Sequence, residues 1–233
     1  MKNAQMTEEA ESQTDEPRLV EPRQVSGLNL SNLAYRAISE MIRDRRLKGG
    51  VQIVEARLAE VLGVSRTPLR EALQRLEGEG LVCKLANRSY LVRSVDLAEY
   101  LHSLKAREIL EAEAAELATG HIPEMTLASV RHEIEELRAS TTYHTASHWL
   151  SDDNLHNVYI DHCGNPVIAR LINALRVTTR LFEIARLKDR LEPDSVEHLA
   201  ILAQLEAGNA RQARDAVTAH IRSLRDFTLA TVR

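Results

Sequence analysis

With 233 residues the chain has room for one large domain or two modest ones, and either can bury an adequate core. Hydrophobic residues at 44% and charged residues at 27% exclude a disordered or fibrous chain, and aromatics at 3% leave cores of Leu, Ile, Val and Ala, a balance that favours helices. The net charge of -4 hides an asymmetry: residues 1–29 carry 3 basic and 6 acidic side chains, residues 30–95 carry 12 and 7, and residues 96–233 carry 15 and 21, so a basic segment suited to phosphate sits beside an acidic one.

Residues 1–29 include Thr7, Glu8, Glu9, Ser12, Asp15, Glu16, Pro17 and Pro22 without an apolar period, and read as a disordered tail. That start lacks the apolar core of a secretory signal, and no run approaches the roughly 20 apolar residues of a membrane span, so the protein is expected in the cytoplasm with no membrane partner. From Ser31, an N-cap, the positions Leu33, Ala34, Ala37, Ile38 and Met41 predict a first helix running towards Gly49 and Gly50. Glu55–Leu62 predicts a second, closed by Gly63, and Ser65 caps a third whose buried stripe is Leu69, Ala72, Leu73 and Leu76. Leu81–Leu85 and Tyr90–Arg93 read as strands joined by Ala86, Asn87, Arg88 and Ser89, a hairpin large enough to form a wing. Helix, helix, turn, helix, hairpin is the order of a winged helix-turn-helix, over residues 30–95.

Beyond Val95, residues 96–233 parse as about six helices in an antiparallel bundle, making the fold mainly α. The expected spans are about Asp96–Thr119, Met125–Ser140, Ser147–His162, Pro166–Leu187 behind Asn165, a helix opened by Pro193 and closed by Gly208, and one capped by Asn209 that runs almost to Arg233. Cys83 and Cys163 are too few for a disulfide framework or a cysteine zinc site, and read as reduced thiols.

On the third helix Arg66, Arg70 and Gln74 recur every four residues beside the buried stripe, so they share one face that can enter a major groove. Ser65 and Thr67 at the helix start can reach the DNA backbone, and Arg88 at the hairpin tip an adjacent groove or phosphate. The run Gly63-Val64-Ser65-Arg66-Thr67-Pro68-Leu69-Arg70-Glu71-Ala72-Leu73, within the stretch Leu33 to Arg93, resembles the winged helix-turn-helix of the GntR family of transcription regulators. The resemblance implies operator contacts by Arg66 and Arg70, assisted by Ser65, Thr67 and the wing. Arg88-Ser89 departs from the Arg-Gly common in such wings, and Ala56 stands where some relatives carry a DNA-contacting arginine.

Asp152 and His156 lie four residues apart on the third bundle helix and can converge on one ion, with Asp152 preferred over Asp153 by that spacing. Antiparallel packing can bring His198 and His220 opposite each other. Three imidazoles and a carboxylate suit a divalent transition metal, zinc first, with nickel, manganese and iron as alternatives, and leave one or two positions for water or a ligand carboxylate. The other six histidines read as surface or hydrogen-bonded residues. Residues Asp96 to Val232 resemble the FCD ligand-binding domain: Asp152-Asp153-Asn154-Leu155-His156 matches its Asp-x-x-Phe-His element with Leu155 for Phe, and the segments at His198 and His220 match its other ligand positions. Arg107 in Arg107-Glu108-Ile109-Leu110-Glu111 matches a further element and is expected either to meet an effector carboxylate or to form a surface ion pair with Glu111. Arg176 and Arg180 are further candidates, on a helix whose polar face reads as exposed.

The resulting expectation is a homodimeric repressor on a pseudo-palindromic double-stranded operator, with recognition helices about 34 Å apart. A small organic or sugar acid is its effector. The competing readings are an enzyme with a metal-activated water, for which no second acidic motif supplies a general base, and a metal that only staples the bundle.

Overall fold

The structure is a computed structural model that describes residues 27–139, 145–182 and 187–232. Almost all of the expected tail therefore lies outside the described residues, as does His144. The first helix, α1 (Gly27–Arg43), begins before Ser31 and takes in the last three residues assigned to the tail. Ala34, Ile38 and Ile42, spaced by four, bury one stripe of it. It ends at Arg43, short of Gly49, because Arg45 turns the chain with a positive φ of 59°.

The short α2 (Glu55–Leu62) stops at Gly63, whose left-handed φ of 63° lets its N–H meet carbonyls of the last turn. In α3 (Arg66–Gly78) Leu69, Ala72, Leu73 and Leu76 are buried as the spacing predicts, and Pro68 is accommodated in the first turn, where an amide hydrogen has no helical partner. Strands β1 (Gln52–Ile53), β2 (Val82–Lys84) and β3 (Tyr90–Val92) form an antiparallel sheet in the order β1-β3-β2. β1 is an addition to the expected hairpin: Gln52 pairs with Leu91 and Ile53 with Tyr90, two residues being too few to carry a periodic signal.

Six helices follow among the described residues: α4 (Leu97–Ala118), α5 (Glu124–Ala139), α6 (Thr145–His162), α7 (Pro166–Leu181), α8 (Leu191–Glu206) and α9 (Ala210–Thr231). Asp96 and Asn165 cap α4 and α7 with their side chains. α7 stops six residues before Leu187, and α8 starts at Leu191 behind a short 3-10 turn (Leu187–Arg190), so Pro193 sits inside the first turn of α8 and does not open it. α4 lies centrally and packs against α6, α7 and α9. Tyr100, Leu104, Leu155, Tyr159, Ile201 and Ile221 belong to this core.

The core of the winged unit contains two visitors. Val177 and Leu181, on the last turns of α7, are buried among Ile38, Leu69, Leu73 and Val92. Arg45 donates to the carbonyls of Leu181 and Phe182, both at 2.7 Å, closing the C-terminal end of α7 where carbonyls lack helical partners. Phe182 stacks on Tyr100, ring centroids 4.2 Å apart. One helix of the bundle is thus built into the reading unit by apolar burial and by hydrogen bonds, while the aromatic pair ties its end back to α4. No described helix is long and apolar enough to cross a membrane.

Candidate DNA-reading face and histidine–carboxylate cluster

Ser65, Arg66, Thr67 and Arg70 are all exposed at the start of α3, on the side away from its buried stripe. Ser65 occupies the N-cap position but its hydroxyl makes no capping bond. Arg70 Nε donates to Glu55 on α2 at 2.7 Å, which raises the guanidinium's pKa. Opposite this face, Arg75 lies 3.6 Å over the ring of Tyr35, and Tyr35 donates to Glu79 at 2.7 Å, locking α3 onto α1.

The wing closes through Arg88 N to Leu85 O at 2.9 Å and Leu85 N to Ser89 O at 2.8 Å, a three-residue loop whose last residue takes the left-handed conformation. That residue is Arg88, exposed, with φ of 65°. Glycine is favoured in such a position, so the chain holds an arginine there at a backbone cost of about 1 kcal/mol. Asn87 supplies local compensation by accepting from the Ser89 amide and hydroxyl, and Gln52 on β1 donates to the same hydroxyl.

In the bundle, α6 brings Asp152 and His156 onto one face, α8 adds His198 and α9 adds His220; one donor atom from each lies within 4.8 Å of all the others. Asp152 Oδ1 is 3.6 Å from His156 Nε2 and 3.8 Å from His198 Nε2, and His198 Nε2 is 3.4 Å from His220 Nε2. A tetrahedral ion with bonds of about 2.1 Å separates its ligands by about 3.4 Å, so the donor set is of the right scale for zinc. His156 Nε2 is buried and has no hydrogen-bond partner, an orphaned lone pair or N–H that a bound cation would explain.

Each of two imidazoles is held from behind. His156 Nδ1 lies 2.5 Å from Glu111 Oε2, and Tyr159 donates to the same oxygen at 2.7 Å while also touching His156 Nδ1. His220 Nδ1 lies 2.8 Å from Glu197, which also accepts from Ser223 and from Arg190. Carboxylates in this position fix ring orientation and direct Nε2 at a shared centre. Burial followed by the neighbouring His220 pushes the pKa of His198 well below its usual value, and burial likewise lowers His220, so both rings are neutral and keep a lone pair. Asp152 is only partly buried; its desolvation is outweighed by His156 and Arg176, which hold its carboxyl well below the ordinary range.

Arg107 is 1% exposed and Glu111 is 0% exposed, so their pair at 2.5 Å is internal, not on the surface as one of the two readings had it. Its Nη1 donates to Thr179 at 2.6 Å. Arg176 is likewise buried, because α6 covers the polar side of α7, while Arg180 stays partly exposed and, among the described residues, pairs with Asp153 at 2.9 Å. A cavity of about 40 Å³ between α5, α6 and α8 borders Asp152 and His198, with Ile134, Leu137, His148 and Asp194 among its walls. Glu111, Tyr159 and Glu197 border the cluster, and the spacing of the cluster residues does not single them out. The only sequence trace of them is that Glu197 precedes a ligand-type histidine and Glu111 stands four residues after Arg107.

Residues 30–92 match the family model described as bacterial regulatory proteins, gntR family, and residues 102–223 match the FCD domain. The HTH-type transcriptional regulator YdhC of Bacillus subtilis is 27% identical over 193 residues, 80% of this chain and 85% of that protein. The Uxu operon regulator of Haemophilus influenzae is 25% identical over 222 residues, 84% of this chain and 82% of that one. Among solved structures, E. coli McbR/YncC superposes with a TM-score of 0.72 at 21% identity, covering 88% of this chain and 99% of that chain, a likeness of fold. With a gntR-type reader in front of an FCD domain, and transcription regulators rather than enzymes as its relatives, the chain belongs to the gntR family of DNA-binding bacterial regulators.

Proposed function

We propose that this regulator is a homodimeric repressor released by a small organic or sugar acid. Residues 30–95 form the reading head and residues 96–233 the sensor. Arg66 and Arg70 read bases or phosphates of a pseudo-palindromic operator, Ser65 and Thr67 contact the backbone, and Arg88 follows from the wing. Asp152, His156, His198 and His220 hold a divalent metal, zinc foremost, with Glu111 and Glu197 setting the rings and Arg107 setting Glu111. Such an ion supplies a strong positive charge with one or two positions open to a carboxylate oxygen.

The observation that supports sensing over stapling is the placement of α7. Its middle pairs with Asp152 through Arg176 at 2.9 Å, and its last turns lie in the core of the reading head. A change in the cluster that shifts α7 changes the seat of the head directly, which is the kind of two-state element that coupling between sites requires. The test is a gel-shift titration on promoter fragments at fixed salt, with zinc-loaded protein and a panel of short carboxylic and sugar acids. Release of a bound fragment by one of these acids is the expected result. Tight operator binding that no acid alters, together with a melting temperature that no acid raises, would sink the sensing role.

A further inference from the structure

Among the described residues, three kinds of attachment join the reading head to the bundle. The chain crosses through residues 93–96, which link β3 to α4 without helix or strand, beside a partly exposed ion pair of Arg93 with Glu99. Val177 and Leu181 of α7 are buried in the core of the head. Arg45, on the head, donates from Nη1 to the carbonyl of Leu181 and from Nη2 to that of Phe182, both at 2.7 Å. The three differ in what they fix. An irregular tether turns about its backbone bonds, and a solvent-screened ion pair restrains it little. Apolar burial is non-directional, so Val177 and Leu181 hold the head close while setting its angle only weakly. A body held at two points can still turn about the line through them, and a third, directional contact stops it. A planar guanidinium on two successive carbonyls is such a contact, because both bonds weaken when its plane rotates.

The other end of this contact is also fixed. Arg45 follows the end of α1 with a left-handed φ of 59°; its N–H donates to Ile42 O at 3.1 Å, and that of Leu47 to Met41 O at 2.8 Å. Such a helix end favours glycine, so an arginine there carries a backbone cost. Among the described residues only Arg45 and Arg88 take a positive φ without being glycine. Strain of this kind persists where the surroundings over-determine it, and it gathers at functional positions. What the side chain gains is a rigid base, because α1 is anchored in the head's core through Ala34, Ile38 and Ile42. Its neighbours Arg43 and Arg46 pair locally with Asp44, at 3.7 and 3.4 Å.

We propose that Arg45 is a positioning residue for DNA reading: it fixes the angle of the head on the bundle, and with it the separation and relative rotation of the two recognition helices in a dimer. The regulator is thereby selective for the spacing of its half-sites. This rests on the homodimeric, operator-binding reading above.

The test uses full-length protein and a pool of random duplexes, from which the wild type selects its operator. Two half-sites at one separation, about 34 Å or a multiple of it, are the expected product. Two base pairs inserted at the operator's centre turn one half-site by about 70° relative to the other, and gel shift at fixed salt should show at least about a tenfold loss for the wild type. Arg45→Met is expected to lose less than about threefold from the same insertion, with Arg45→Lys, which keeps the charge but not the planar fork, between them. A residue that merely supports folding would lower affinity for both duplexes alike and leave the ratio where it was. An equal insertion penalty in wild type and Arg45→Met would overturn the positioning role and leave the two-headed reading intact. Selection of lone half-sites by the wild type, or no wild-type penalty on insertion, would overturn both. Where Arg45→Met does not fold, Arg45→Gly, which suits the left-handed backbone and removes the fork, decides by the same ratio.

Discussion

The Nε of Arg70 and a carboxylate oxygen of Glu55 lie 2.7 Å apart, joining the exposed face of α3 to the first turn of α2. The bond restrains a long side chain that must otherwise lose its rotamer freedom on meeting DNA. Arg70→Ala is expected to weaken operator binding about ten- to hundredfold at fixed salt. Glu55→Gln should weaken it only a few-fold, and that loss should vanish in the Arg70→Ala background, as a double-mutant cycle by gel shift would register. Unchanged binding by Arg70→Ala would remove the arginine from the reading face.

Arg88 should show opposite effects on folding and on binding. Replacement by Gly relieves the left-handed backbone at φ 65° and is expected to stabilise the protein by up to about 1 kcal/mol in urea unfolding. The same change removes a cation from the wing, so affinity should fall for operator and random DNA alike, with the salt slope reduced by about 1. A loss confined to the operator would instead mean that Arg88 reads sequence.

The carboxylates behind the imidazoles make a metal-affinity prediction. Glu197→Gln is expected to weaken zinc binding about 10- to 100-fold in competition with a chromophoric chelator, because His220 loses the group that orients it. Glu111→Gln should show a similar loss with a larger folding defect, about 3–5 kcal/mol, since it leaves the guanidinium of Arg107 buried without its counter-charge. Wild-type zinc affinity in both variants would mean that the two glutamates serve packing alone.

Acidification gives a fourth prediction, for protein stripped of metal. His198 has its pKa depressed in the folded state by burial and by His220, so below the ordinary histidine value near 6.5 the unfolded chain takes up a proton that the folded chain refuses. Stability through this group is therefore lost as pH falls. Asp194 acts in the opposite sense: burial raises it to about 7, so between its ordinary value of 3.8 and that point its stability contribution falls as pH rises. The histidine term is isolated as a difference. From pH 6.5 to 5.5 the wild type should lose up to about 1 kcal/mol more than His198→Asn, checked by urea unfolding at each pH. Parallel pH profiles would contradict the depressed histidine.

Local pattern made much of this molecule legible. Leu69, Leu73 and Leu76 mark the buried stripe of α3 by spacing alone, Gly63 marks the turn before it, and Asp152 and His156 share a face because four residues nearly complete a helical turn. What stayed hidden depends on how helices cross. Glu111 reaches His156 from 45 positions away, a contact set by the packing of α4 on α6 and not by any local period. Arg176 and Arg180 read alike on a polar helix face, yet α6 buries the first and leaves the second half in solvent. β1 has two residues and acquires its identity only by pairing with β3. The start of α1 at Gly27 carries no local signal, because the cap-like Ser31 lies inside the helix.

The presence of Val177 and Leu181 in the core of the winged unit makes that unit incomplete by itself. A polypeptide cut after Val95 would carry an apolar notch where those two side chains belong, each contributing about 1.5–3 kcal/mol when covered. Such a fragment should be sticky and weakly folded, and its grip on DNA would understate that of the parent protein. Any piece in which the head keeps this part of its interior must run at least to the end of α7.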